Sequence, residues 1–245
     1  MQSTSKKATP LLIARSIVVR FEPADVTALP KQVARYLGGS QYKMDAQISE
    51  LITAAIDRGR HLIEPQMVYA LHTVSEIIGY DKMNLSHGLS IRVSPGGVDP
   101  HAKYLSAAIC TLGPDLEKIC CQLKGENKLL EAAILDATGV AMIEVLSDKA
   151  YKYLNELAGK HLLYLGCRFG PGIDDMDLSS QSVLFALVKG DKIKVRLNKS
   201  MVMIPNKSIS FFVEFSSDKN ARRNLYKCQT CHRKDCQFKI NPAPD

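Results

Sequence analysis

The segment Lys194-Val195-Arg196-Leu197-Asn198-Lys199-Ser200-Met201-Val202-Met203-Ile204-Pro205-Asn206-Lys207-Ser208-Ile209-Ser210-Phe211-Phe212-Val213-Glu214-Phe215 decides the fold class. In its second half Ile209, Phe211, Val213 and Phe215 alternate with their neighbours and fall on one face of a strand. The first half, residues 194–204, reads as a preceding strand, and Pro205-Asn206 as the turn between them, so the pair is expected to form an antiparallel hairpin. Strict alternation of strands and helices is absent, as is a glycine-rich GxGxxG fingerprint. The expected class is α+β, with helices packed on a mainly antiparallel sheet.

Before this segment, residues 178–189 read as a helix, residues 161–167 as a short apolar strand, and residues 168–177 as the loop between them. The longest helix is expected over residues 128–159, with Asn127 as its N-cap. It carries a stripe of small residues, Ala132, Ala133, Ala137, Gly139 and Ala141, which suits either tight packing against a neighbouring element or direct approach to a ligand. Residues 104–112 read as a buried strand that stops at Gly113-Pro114, where another helix can begin with Pro114 in its first turn. Residues 67–78 lean towards a strand after Pro65, Ser94-Pro95-Gly96-Gly97 is a loop by composition, and residues 43–58 carry Ile48, Leu51, Ile52 and Ala55 at helical spacing.

The chain has 245 residues, 46% of them hydrophobic, enough for one large core or two small ones. Charges interrupt every apolar run well short of a bilayer span, and Met1 to Ala8 is polar and basic without the apolar stretch of a signal peptide. The expected setting is therefore the cytoplasm, with no membrane partner, where the seven cysteines serve as core, metal ligands or reactive thiols rather than disulfides. The formal charge of +7 is concentrated near the end of the chain, where Lys219, Arg222, Arg223, Lys227, Arg233, Lys234 and Lys239 are opposed within their stretch only by Asp235. Such a tail suits an anionic ligand, an acidic protein or nucleic acid, or is a solvated terminus.

Two constellations carry chemistry. In Gly166-Cys167-Arg168-Phe169-Gly170-Pro171-Gly172-Ile173-Asp174-Asp175, glycines flanking a proline let the backbone approach a ligand closely. Arg168 enters this loop straight from an apolar strand, either to clamp a carboxylate through two parallel hydrogen bonds or to pair with a neighbouring aspartate across a tight turn. The second constellation, Cys228-Gln229-Thr230-Cys231-His232-Arg233-Lys234-Asp235-Cys236, places three thiols in a segment with almost no apolar residue. Cys228, Cys231 and Cys236 suit zinc or an iron–sulfur cluster, the neighbouring cations favouring the thiolates, with free thiols as the alternative.

The loop resembles the Arg-x-x-Pro-Gly-Tyr signature of the activation domain of vitamin-B12-dependent methionine synthase. Arg168, Pro171 and Gly172 match it, Gly170 stands where the family has a small residue, and Ile173 replaces the usual tyrosine. Leu178-Ser179-Ser180-Gln181-Ser182-Val183-Leu184-Phe185 looks like the helix after that loop, and residues 197–210 are similar to the family's strand pair, with Asn198-Lys199 replacing a Thr-Glu pair. Upstream, Thr111-Leu112-Gly113-Pro114-Asp115-Leu116-Glu117 and residues 136–144 resemble segments of free-standing relatives. The resemblance covers residues 104–215 and implies three regions: an N-terminal helix and strand region over 1–100 within the same domain, an S-adenosylmethionine-binding core over 101–216, and a basic cysteine-rich tail over 217–245.

The resemblance further implies that Arg168, Gly170, Pro171, Gly172 and Ile173 form much of an S-adenosylmethionine site. Glu144 stands where the family has a glutamate facing the ligand, and Asp136 is a weaker candidate on the same helix. The implied function is to bind S-adenosylmethionine while docking on a separate cobalamin-dependent methyltransferase or corrinoid protein, so that reductive methylation restores the inactive cofactor. An external donor such as flavodoxin or ferredoxin would supply the electron, and a metal cluster in the tail could relay it. No residue is singled out as catalytic, and no Asp-x-His-x-x-Gly cobalamin-ligand motif is present. Two other readings stand beside it: a docking module for a corrinoid protein that has lost ligand binding, and a zinc-stapled basic nucleic-acid-binding protein. The few aromatic residues near the tail, Tyr226 and Phe238, make nucleic acid the least expected partner.

Overall fold

The computed structural model describes residues 11, 13–93, 97–172, 176–220 and 236. The elements run β1 (Ile17–Arg20), α1 (Pro30–Gly38), α2 (Ala46–Leu62), β2 (Gln66–Ile78), β3 (Lys82–Leu85), β4 (Ser90–Arg92), β5 (Ala102–Thr111), α3 (Asp115–Gly125), α4 (Leu129–Lys160), β6 (Tyr164–Phe169), α5 (Gln181–Leu187), β7 (Arg196–Leu197), β8 (Met203–Ile204) and β9 (Ser208–Ser216). The main sheet has the order β4-β3-β2-β5-β9-β6, with β1 added to β2, and every pairing between its named strands is antiparallel. The α+β class is thus as expected.

Both faces of the sheet are covered, which explains why the central strands read as nearly continuous apolar runs. On one face Met67, Tyr69, Leu71, Ala108, Cys110, Phe211, Val213 and Phe215 pack under α1 to α4. On the other, Val68, Ala70, Leu105, Ala107, Ile109 and Phe212 pack against Leu184 and Leu187 of α5, Val195, and Met83, Leu85 and Ile91 of the β3–β4 hairpin. Helix α4 spans the first face. Its stripe is small because the contacts there are close: Ala132, Ala137, Gly139 and Ala141 are buried, while Ala133 is exposed. A Cβ on Gly139 would lie 2.8 Å from Cδ2 of Leu116 in α3 and 3.0 Å from Cε of Lys207. The stripe therefore serves helix packing.

Three expectations need correction. First, residues 194–204 and 207–215 do not pair. The chain turns back inside the first segment, so that β7 pairs with β8, while β9 inserts between β5 and β6. Asn198 makes that turn: its Oδ1 accepts from the amides of Ser200 (2.8 Å) and Val202 (3.0 Å), a local bond that competes with an extended strand. Second, Asn127 does not cap α4, whose N-cap is Lys128. Asn127 instead closes α3 in the left-handed region (φ 63°), with Asn127 N–H on the Lys124 carbonyl (3.1 Å) and Lys128 N–H on that of Leu123 (2.9 Å). These two bonds make a Schellman motif. Third, the strand expected over 161–167 begins at Tyr164 and runs through Arg168 to Phe169, so Arg168 belongs to a strand rather than to the loop. Strand β1, helix α1 and the β3–β4 hairpin were not anticipated; all three are short, and β1 and β4 offer too few residues for a period to show.

Candidate functional site

Among the described residues, strand β6 lies at the sheet edge and pairs only with β9. Leu165 is opposite Phe215, but Arg168 rather than Cys167 is opposite Val213, so Gly166 and Cys167 together oppose Glu214. This is a β-bulge, and it changes which side chain faces the helices. In a regular strand Cys167 would share the face of Leu165; with one extra residue inserted, Arg168 takes that face and Phe169 turns to the other, where its ring packs against Phe212 (centroids 5.6 Å apart). Gly166 suits the bulge, since a Cβ there would lie 3.3 Å from Oε2 of Glu214.

Arg168 thereby reaches α4. Its Nη1 donates to Ser147 Oγ (2.7 Å) and its Nη2 to Asp148 Oδ1 (2.6 Å). Its guanidinium carbon lies 5.3 Å from the Tyr151 ring centroid and 5.9 Å from that of Phe211, both within cation–π range. The Tyr151 hydroxyl donates to the Gly166 carbonyl in the bulge (2.9 Å). Arg168 is mostly buried, with its side chain 20% exposed, whereas Asp148 is 63% exposed. An ion pair with one partner so wet contributes about 0–1 kcal/mol. The pair therefore adds little stability and can be exchanged for another carboxylate.

Glu144, Ser147, Asp148 and Tyr151 recur at intervals of three and four along α4 and lie on one helical face. Glu144 is one turn before Ser147 and Asp148, but it engages α1: Arg35 Nη2 donates to its Oε2 (2.6 Å) and the Tyr36 hydroxyl donates to its Oε1. Burial, reinforced by the hydrogen bond to Glu144, holds the Tyr36 phenol well above its ordinary range, so it stays a donor. Asp136 lies elsewhere on the helix, paired with Lys207 Nζ (2.8 Å), while the Lys207 amide donates to Glu117 Oε1 (2.6 Å).

Beyond β6 the loop residues follow in order. Gly170 is packed flush on β9: a Cβ there would lie 3.0 Å from the Ser210 carbonyl oxygen. Pro171 is buried, and Gly172 takes a positive φ of 75° while its amide donates to the Met176 carbonyl (2.8 Å). Those constraints account for both glycines. Ile173 lies outside the described residues. So do Cys228 and Cys231, while Cys236 is half-buried. Among the described residues, no group of three or more His, Cys, Asp or Glu is placed to hold a metal ion. Among them also, no helix is long and apolar enough to cross a membrane.

The structure brings Arg168 and Glu144 to one helical face and places Gly170, Pro171 and Gly172 directly after the strand that carries Arg168. Sequence reasoning missed Ser147, Asp148 and Tyr151, although their spacing from Glu144 is a readable helical signal; Phe211 was read only as a core strand residue. A groove of about 340 Å³, lined by Leu11, Thr73, Val74, Lys103, Tyr104, His161 and Leu163, lies beyond the end of α4 and contains none of these residues. It has two basic side chains and no carboxylate, so the convergence of opposite charges at Arg168 marks the site better than the hollow does.

Comparison with protein-family models finds no match, and comparison with curated proteins finds none either. Among solved structures, the chain is similar to the MetH reactivation domain bound to AdoHcy, with a TM-score of 0.64 and 13% identity over 89% of this chain and 84% of that one. At that identity the likeness shows a shared fold. It covers most of the chain and so defines the architectural class to which this chain conforms.

Proposed function

We propose that this chain binds S-adenosylmethionine along the α4–β6 face and serves the reductive reactivation of a cobalamin-dependent methyltransferase or corrinoid protein. The observation that carries the reading is the placement of Arg168 by the β6 bulge against an acid-bearing face of α4, in a fold like that of a reactivation domain whose structure contains AdoHcy. AdoHcy is what S-adenosylmethionine becomes on losing its methyl group.

The donor set fits such a ligand. Its amino-acid end carries a carboxylate and an ammonium, and its sulfonium is a second cation. The fork of Arg168 suits the carboxylate, by exchange with Asp148 Oδ1. Asp148, once released, and Glu144 offer anionic oxygens to the cationic groups. Glu144 keeps acceptor capacity beyond its bonds to Arg35 and Tyr36, since a carboxylate has about four lone-pair sites. Gly172 is exposed in the loop after β6, and with Gly170, Pro171 and Ile173 it is proposed to contribute to the ligand site.

When bound, S-adenosylmethionine supplies the methyl group which, with one electron from an external donor such as flavodoxin or ferredoxin, restores a methylated corrinoid on the partner. The chain's own contribution is to hold and orient the ligand. Cys228, Cys231 and Cys236 are proposed to hold zinc or an iron–sulfur cluster, and a cluster would relay the electron. The cytoplasm is the proposed setting, and residues 217–245 are proposed to act as a tail to a single domain over 1–216.

Calorimetric titration of the full chain with S-adenosylmethionine, beside Arg168→Ala, tests the site. Saturable binding that the variant loses supports it. Absence of binding at millimolar ligand would replace it with the docking-module reading. Loss of reactivation in Cys228→Ser or Cys231→Ser with ligand binding retained would support the relay, and full activity would remove it.

A further inference from the structure

We propose that Tyr151 is the positioning residue of this site, fixing both the backbone from which Arg168 projects and the plane of its guanidinium; the inference rests on the ligand-site reading above. A bulge on an edge strand is free to migrate, because only one neighbour specifies the register. If the extra residue moved two places along β6, Cys167 alone would stand opposite Val213, and Arg168 would join Phe169 opposite Phe212, on the other face. The site would then lose the guanidinium that Ser147 and Asp148 accept from.

Tyr151 opposes that slip at two points. Its hydroxyl donates to the Gly166 carbonyl at 2.9 Å, inside the bulge, and pins the extra residue at positions 166–167. Its ring lies 5.3 Å from the guanidinium carbon of Arg168, with Phe211 at 5.9 Å, so the side chain is steered to where Ser147 and Asp148 accept from it. Tyr151, Ser147 and Asp148 all come from α4, a helix of 32 residues. The guanidinium and the strand backbone are therefore referenced to one rigid element. Asp148, at 63% exposure, lacks the burial to do the same.

The test compares Tyr151→Phe with Asp148→Asn in the full chain. Tyr151→Phe keeps the ring and removes only the hydroxyl. Two readouts are used: the ring-current shift of the Arg168 side-chain protons by NMR, assigned by their loss in Arg168→Lys, and calorimetric affinity for AdoHcy. In Tyr151→Phe the Arg168 shift is expected to collapse towards its random-coil position, with AdoHcy binding weaker by roughly tenfold, as for loss of a hydrogen bond that sets geometry. The thermal midpoint should stay close to that of the unaltered protein. In Asp148→Asn the Arg168 shift is expected to persist. An unchanged Arg168 shift in Tyr151→Phe overturns the proposal, as does an equal collapse in Asp148→Asn, which would make the ion pair the positioning element. If the unaltered protein binds no AdoHcy, the ligand reading fails, and the Arg168 shift alone still decides whether Tyr151 positions that side chain.

Discussion

Arg168 works through geometry that a point charge cannot supply. A lysine at this position would keep the charge but lose the fork and the planar contact with Tyr151 and Phe211. Arg168→Lys should therefore bind S-adenosylmethionine at least tenfold more weakly while unfolding at nearly the same temperature; equal affinity in calorimetry would show that charge suffices. Burial likewise separates the cysteines. Complete burial pushes the Cys110 thiol up to about 12, whereas Cys121 is exposed. With iodoacetamide at pH 8, Cys121 should alkylate in the folded protein and Cys110 only after denaturation, a pattern that mass spectrometry of the digested chain reads directly. Arg168 could be singled out from its setting between an apolar strand and two glycines. Its partners could not, because the bulge that turns it towards α4 is a relation between two strands.

At the scale of elements, the end of α3 depends on the left-handed Asn127. Asn127→Ala should cost about 1 kcal/mol in chemical denaturation, because a Cβ without a compensating polar group is strained there, while Asn127→Gly should be at least as stable as the parent. Helix α5 is tied down at both ends. The buried Ser210 hydroxyl donates to Gln181 Oε1 (2.8 Å), and the ring of buried His72 lies with its Nε2 3.0 Å from the Leu187 carbonyl. A carbonyl only accepts, so His72 Nε2 carries the proton and its Nδ1 must accept from His87 Nε2, 2.9 Å away. Burial, with the nearby His87 adding to it, lowers the His72 pKa below its ordinary 6.5. The unfolded chain therefore takes up this proton first on acidification. The stability that His72 contributes is complete above about pH 6.5 and is lost as the pH falls towards its lower folded value. Urea denaturation at pH 7.5 and 5.5 should show this loss, and His72→Gln should flatten the difference. Spacing revealed α2 because a helix of seventeen residues repeats its period several times, whereas β2 was legible from its β-branched and aromatic composition after Pro65. The false hairpin arose because residues 194–204 have strand-like composition while a single side chain, Asn198, breaks them into a turn.

Across the whole molecule, β9 is the shared wall. Phe211, Val213 and Phe215 face α1 to α4, while Phe212 fills the opposite core with Leu105, Ile109 and Leu184. The two cores should therefore melt as one unit. Phe212→Ala should lower stability by about 3–5 kcal/mol and leave a single calorimetric transition, whereas two transitions would show that the faces fold independently. The site straddles this arrangement, with Arg168 on the helix-covered face and the loop after it leading to α5 on the other. The α+β class, the long helix, the central strands and the glycine-rich loop that follows Arg168 were legible in the sequence, because each depends on local periodicity, composition or turn chemistry contained in a short span. The packing of the whole chain sets β9 between β5 and β6, turns Arg168 onto α4 through an extra residue at 166–167, and brings it to Ser147, Asp148 and Tyr151. Those outcomes are set by which distant surfaces bury each other, and a one-residue shift in strand register reverses the facing of every side chain without changing a letter of the sequence.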